Sequence, residues 1–114
     1  MILEERIYVI KVGKVQEFLG HVERQGFPLA QRILGGPLGY FTTEIGDLSQ
    51  VIHLWAYESL ADRDRRFAEI FAHPDWLAFI ADVLPLIERM ETRILQPARF
   101  SPLTLEAVRA MNNA

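Results

Sequence analysis

The apolar residues of this chain recur with two different periods, and the order in which those periods alternate narrows its possible folds more than any other feature. Over residues 2–12 the period is two. Arg6, Tyr8 and Ile10 alternate with Ile7, Val9 and Lys11 in a stretch rich in β-branched and aromatic types, which predicts a strand broken at Gly13. From Lys14 the spacing becomes helical, with Val15, Phe18, Leu19 and Val22 at i, i+3, i+4 and i+7. Gly26 and Pro28 predict a kink or interruption. The helix then resumes through Leu29 and Ile33 until Gly35, Gly36 and Pro37 stop it. The period of two returns twice, over residues 38–45 and 50–57, and the short polar loop Gly46-Asp47-Leu48-Ser49 between them suits an antiparallel hairpin.

The second half repeats the scheme. Ser59 followed by Asp62 resembles a capping box, and Leu60, Phe67, Ile70 and Phe71 form the stripe of the helix it opens. His73-Pro74 ends that helix. Pro74 can open another, whose apolar positions Trp76, Ile80, Val83, Leu84 and Ile87 keep helical spacing, with Pro85 threatening the last turn. Residues 88–95 set Met90, Thr92 and Ile94 against Arg89, Glu91 and Arg93, a fourth strand with one wet face that Pro97 closes. The expected organisation is one domain over residues 1–100 and a tail over residues 101–114. Leu105, Val108 and Met111 give that tail a short helix or a frayed end as its two options. The order of strand, helix, two strands, helical pair and strand is an α+β pattern, the ferredoxin-like βαββαβ unit with a four-stranded antiparallel sheet. Its helices cover one sheet face. An apolar second face needs a partner, most simply the same sheet of a second copy.

Composition bounds the partners. At 114 residues there is room for one modest core, and half the residues are hydrophobic. The net charge is −3, with Lys and Arg scattered among Asp and Glu rather than gathered on a basic face, so no nucleic-acid partner is expected. The absence of cysteine excludes disulfides, thiolate metal sites and thiol nucleophiles. Glu4, Glu5 and Arg6 sit inside the alternating opening segment, which is neither a signal nor a transit peptide. No apolar run approaches the roughly 20 residues of a membrane span. A cytoplasmic location is the expectation.

Two blocks carry a resemblance to a known family. Arg6-Ile7-Tyr8, leading to Val12-Gly13-Lys14, resembles the opening strand and turn of the NIPSNAP family. The run from Gly36-Pro37-Leu38-Gly39-Tyr40 through Glu44-Ile45-Gly46 and Gln50-Val51-Ile52-His53-Leu54-Trp55 to Asp62-Arg63 is similar to that family's strand hairpin and helix start. The resemblance implies a homodimeric α/β barrel, in which two such sheets pack face to face. It implies architecture more than chemistry, because the family has no agreed enzymatic activity. The function it suggests is a small-molecule-binding or interaction module without a cofactor. Related dimeric-barrel families include cofactor-free antibiotic-biosynthesis monooxygenases, which supply an enzymatic alternative: cofactor-independent oxygenation of a small aromatic or polyketide-like substrate.

Alternation places Val51, His53, Trp55 and Tyr57 on one face of the third strand. A small organic ligand needs such an aromatic lining with a few polar groups, and His53 is the candidate general base. Core packing or dimer contact is the commoner role of such residues. Arg6 and Tyr8 share a face of the first strand and Tyr40 lies on the second, so Arg6, Tyr8, Tyr40, His53, Trp55 and Tyr57 are the pocket candidates; the structural alternative pairs Arg6 with Glu44 or Glu91. His21 and His73 read as surface or capping residues. The histidine spacing gives no metal site. Gly35-Gly36-Pro37-Leu38-Gly39 lacks the setting of a phosphate loop and reads as a turn. The alternating charges over residues 62–66 read as a solvated helix face with local ion pairs. No Gly-x-Ser-x-Gly elbow is present.

Overall fold

Residues 1–113 are described by the structure, a computed structural model. The four strands are β1 (Ile2–Ile10), β2 (Pro37–Thr42), β3 (Gln50–Tyr57) and β4 (Ile87–Leu95), and every pairing is antiparallel in the order β2-β3-β1-β4. This is the expected βαββαβ sheet. The two strands with the most continuous apolar pattern, β1 and β3, take the centre, where both edges are hydrogen-bonded.

The first helical segment is irregular before Pro28, as a π turn that ends at Gly26 rather than an interruption. Helix α1 (Val15–His21) runs into a π turn, Val22–Gly26, and on into α2 (Phe27–Ile33). Pro28 falls at the start of α2, directly after the π turn. Glycine also fits Gly26 for a packing reason, since a Cβ there would lie 2.6 Å from the Phe79 ring. Gly35 and Gly36 then turn the chain with φ near +90°, a conformation that side chains with a Cβ avoid.

Strand β2 ends at Thr42, short of the expected residue 45. The Thr43 hydroxyl donates to the Gln50 carbonyl at 2.9 Å, a side-chain bond in the place of a ladder bond, and Ile45 stands exposed in the loop. Helix α3 (Leu60–Phe71) starts as expected, with the Asp62 N–H donating to Ser59 Oγ at 3.1 Å. The reciprocal bond reaches one residue further back, Asp62 accepting from the Glu58 N–H at 3.1 Å. Helix α4 (Pro74–Val83) opens on His73, whose Nδ1 accepts from the Asp75 N–H, and Pro85 sits in a closing 3₁₀ turn, Leu84–Leu86. Strand β4 is wet on both faces beyond Ile87, because it is an edge strand that the helices do not reach across.

Helix α5 (Leu105–Asn113) returns to the far end of β2 and β3. Arg109 donates to the Gly35 and Ala56 carbonyls at 3.2 and 3.0 Å, Asn112 donates to the Pro37 carbonyl at 2.9 Å, and Val108 is fully buried. The charges of α3 are more than a solvated face. Asp62 is buried and accepts from Arg65 and Arg66 at 2.6 and 3.0 Å, while Arg63 leaves the surface to bracket the fully buried Glu4 of β1 with two bonds, at 3.1 and 2.9 Å. That bidentate pair docks α3 onto the sheet.

The core lies between the sheet and the helices, where Tyr8, Ile10, Val51, Trp55 and Tyr57 meet Phe18, Leu29, Ile70, Trp76 and Phe79. The opposite sheet face carries Leu3, Val9, Ile52 and Leu54, all partly exposed, and the half-exposed Phe41.

Candidate functional site

Register assembles the site. Tyr40 of β2 lies opposite His53 of β3, His53 opposite Arg6 of β1, and Arg6 opposite Thr92 of β4, so four side chains cross the sheet in one row on its helix side. The next row holds Tyr8 between Val51 and Met90, and the row on the other side holds Glu4 between Trp55 and Ile94. Arg6 therefore cannot meet Glu91, which lies opposite Ile7 and points to the other face, while Glu44 lies outside the strands. The expected Arg6–carboxylate pair does not form. Arg6 instead sets its guanidinium 5.6 Å from the ring centroids of Tyr8 and Phe67.

Between this patch of sheet and helices α1, α2 and α4 lies a cavity of about 60 Å³. Arg6, Tyr8, Tyr40, His53 and Trp55 line it from the sheet, so five of the six candidates share one space. The sixth does not. Tyr57 shares their face but pairs with Ile2 at the strand's far end, under α3, with its ring edge-on to Phe67 at 6.4 Å. From the helices come Phe18, Trp76 and Phe79, which the strand pattern could not associate with the site.

His53 sits in an aromatic cage. Its ring centroid is 4.3 Å from that of Tyr40, 5.0 Å from Tyr8 and 6.1 Å from Phe18. Only 5% of the residue is exposed. Burial, and secondarily the positive charge of Arg6, lowers its pKa from 6.5 to about 3, so the imidazole is neutral at pH 7. Burial likewise pushes the Tyr8 and Tyr40 phenols up, and both stay protonated.

Four buried polar atoms around the cavity, Arg6 Nε, His53 Nε2, Trp55 Nε1 and Trp76 Nε1, find no hydrogen-bond partner among the described residues of the protein. Each such atom, left unmet, costs roughly 1–3 kcal/mol. All four belong to residues that line the cavity, whereas the fifth such atom, Tyr57 Oη, does not. Trp76 is the member that sequence reasoning missed: its helical spacing announced a core position, and only the fold brings it to the lining of the same cavity as the sheet residues.

Among the described residues no cluster of three His, Cys, Asp or Glu side chains is arranged to hold a metal ion. No described helix is long and apolar enough to cross a membrane.

Fold and site together define an α+β protein of the ferredoxin-like class with an aromatic, donor-lined cavity between sheet and helices. The same fold occurs in a putative antibiotic biosynthesis monooxygenase from Nitrosomonas europaea, with a TM-score of 0.65 over 84% of this chain and 97% of that one, at 14% identity. The chain belongs to the NIPSNAP family, whose family model matches residues 3–102. A NIPSNAP family protein from Agrobacterium tumefaciens is 50% identical, with a TM-score of 0.87 over 90% of this chain and 98% of that one. A second structure from that organism, described as a NIPSNAP family protein with unknown function, is 42% identical with a TM-score of 0.87, covering 91% and 94%. Protein NipSnap homolog 2 of Danio rerio is 35% identical over 103 residues, which are 90% of this chain but 35% of that protein's length. The chain thus corresponds to one part of its longer animal relatives.

Proposed function

We propose that this protein binds a small organic molecule in the cavity, and that it does so as a homodimer joined through the open sheet faces. The observation that carries the binding role is the set of four unmet buried polar atoms around one aromatic-lined space. A purely structural core of this composition would turn its indole and imidazole N–H groups toward carbonyls. The dimer is supported by the partly exposed apolar residues Leu3, Val9, Ile52, Leu54 and Phe41 spread over the face opposite the core cluster.

Binding is the better reading than cofactor-independent oxygenation. A general base works best with a pKa near the working pH, and His53 at about 3 lies far below it. The likeness to monooxygenases extends to fold alone. Native mass spectrometry of the full chain tests the proposal. The expected spectrum is a dimer that retains a reproducible extra mass, lost when Trp55 is replaced by Phe. A bare protein that also fails to gain mass from a metabolite extract overturns the ligand, and a monomer at micromolar concentration overturns the paired sheets.

A further inference from the structure

The cavity's lining is rich in donors. Among the described residues no Asp, Glu, Asn, Gln, Ser or Thr lines it, the phenols of Tyr8 and Tyr40 can donate or accept, and three of its four unmet polar atoms, Arg6 Nε, Trp55 Nε1 and Trp76 Nε1, can only donate. The fourth, on His53, donates or accepts with its tautomer.

Charge points the same way. The carboxylate nearest to Arg6 on its own face is Glu4, and both Glu4 oxygens are committed to Arg63. Arg6 Nε has no hydrogen-bond partner among the described residues, and no ion pair found among them includes Arg6. The cavity wall therefore carries the positive charge of the half-buried Arg6 without an ion-pair partner, beside the rings of Tyr8 and Phe67.

Shape sets the rest. A cavity of about 60 Å³ is well under the ~150 Å³ that accommodates benzene, and admits a few atoms of water size. The lining is buried at His53, Trp55 and Trp76, whereas Leu84 is 54% and Met90 47% exposed, so the opening lies between the 3₁₀ turn and β4 and is apolar. The buried part of the lining includes the donors His53, Trp55 and Trp76, and its most exposed members, Leu84 and Met90, are apolar.

We propose that the ligand is a monocarboxylate with an apolar tail, its carboxylate buried against Arg6, His53 and Trp55 and its tail leaving past Leu84 and Met90. This rests on the ligand-binding reading above and names its chemical class. Arginine's planar fork suits a carboxylate, and the indole donors complete its oxygens' hydrogen bonds.

The test uses the full chain and two probes of equal length, hexanoate and the neutral hexanamide, titrated by calorimetry at constant ionic strength. Hexanoate is expected to bind at least tenfold more tightly than hexanamide. In Arg6→Gln that ratio should collapse toward one, a readout taken within a single variant and so independent of its folded fraction. Acetate, lacking the tail, should bind at least tenfold more weakly than hexanoate. Leu84→Glu, a substitution at an exposed rim position, should weaken hexanoate severalfold. Equal binding of hexanoate and hexanamide overturns the carboxylate while leaving the ligand-binding role standing. Equal binding of acetate and hexanoate overturns the apolar exit. Failure of every probe overturns the class, and the ligand-binding role falls with it only if native mass spectrometry also shows no retained mass.

Discussion

The buried imidazole of His53 gives the protein a pH dependence whose sign and size follow from its surroundings. In the unfolded chain His53 titrates near 6.5; in the folded chain burial and Arg6 hold it at about 3. Between those values the unfolded state binds a proton that the folded state refuses. Stability is therefore complete above pH 6.5 and declines as pH falls toward 3. One proton is worth about 1.4 kcal/mol per pH unit, so moving from pH 7 to pH 5 removes roughly 2 kcal/mol. The assay is urea denaturation at pH 7, 6 and 5, at fixed protein concentration and salt, for the parent chain and for His53→Gln, which keeps a planar polar group but cannot titrate. The difference between the two slopes isolates His53 from His21, His73 and the carboxylates. A parent chain that loses about 2 kcal/mol more than the variant between pH 7 and 5 supports the buried, neutral imidazole. Parallel slopes would refute it, and would mean that water or an anion reaches the ring and keeps its pKa near 6.5.

The Glu4–Arg63 pair gives a second test: Arg63→Met strands a fully buried carboxylate and should cost about 3–5 kcal/mol, with Glu4→Gln added to it recovering a good part, measured as a double-mutant cycle in denaturant. Gly26→Ala gains helix propensity of about 1 kcal/mol but sets a methyl 2.6 Å from the Phe79 ring, an overlap worth about 1–3 kcal/mol, so calorimetry should show a net loss of stability, with hexanoate binding weakened as Phe79 moves. At Asp62 burial opposes ionisation, but hydrogen bonds from the Glu58 N–H and Arg66 outweigh it and leave the pKa depressed. Its contribution is therefore present above the unfolded carboxylate range and lost as pH falls below about 4, so Asp62→Asn should flatten the acid limb of a melting-temperature profile there and leave the limb between pH 7 and 5 unchanged. Val108→Ala, at a fully buried position of α5, should cost about 2 kcal/mol in denaturant, the size expected if that helix is part of the folded unit.

Much of this architecture is written in periodicity, and its failures have physical causes. The bounds of β3 and the shared face of His53, Trp55 and Tyr57 follow from an alternation that any half-buried strand must show. The end of β2 does not, because Thr43 and Glu44 continue the alternation while the Thr43 hydroxyl diverts the Gln50 carbonyl. That the irregularity before Pro28 is a π turn rather than an interruption was hidden for a related reason. Local propensity argues for a break, and the packing of Phe79 against a residue without a Cβ favours continuity. The charge run of α3 looked solvated because sequence shows only i, i+3 and i+4 neighbours, whereas Arg63 finds its partner 59 residues away.

The site shows most clearly where a one-dimensional pattern stops. Alternation assigns a face but not a depth along the sheet, which is why Tyr57 looked like a companion of His53 and Trp55 yet lies at the strand's end beyond the cavity. Depth is set by register, and register is set by how the hairpin closes and how β1 slides between β3 and β4. Those pairings put Tyr40, His53 and Arg6 in one row, and they part Arg6 from Glu91 by a single residue's offset. A slip of one residue would have paired that arginine with a carboxylate and made it structural. The observed register leaves Arg6 without a carboxylate partner beside a neutral imidazole and two unpartnered indole N–H groups, and the proposed binding role rests on that combination.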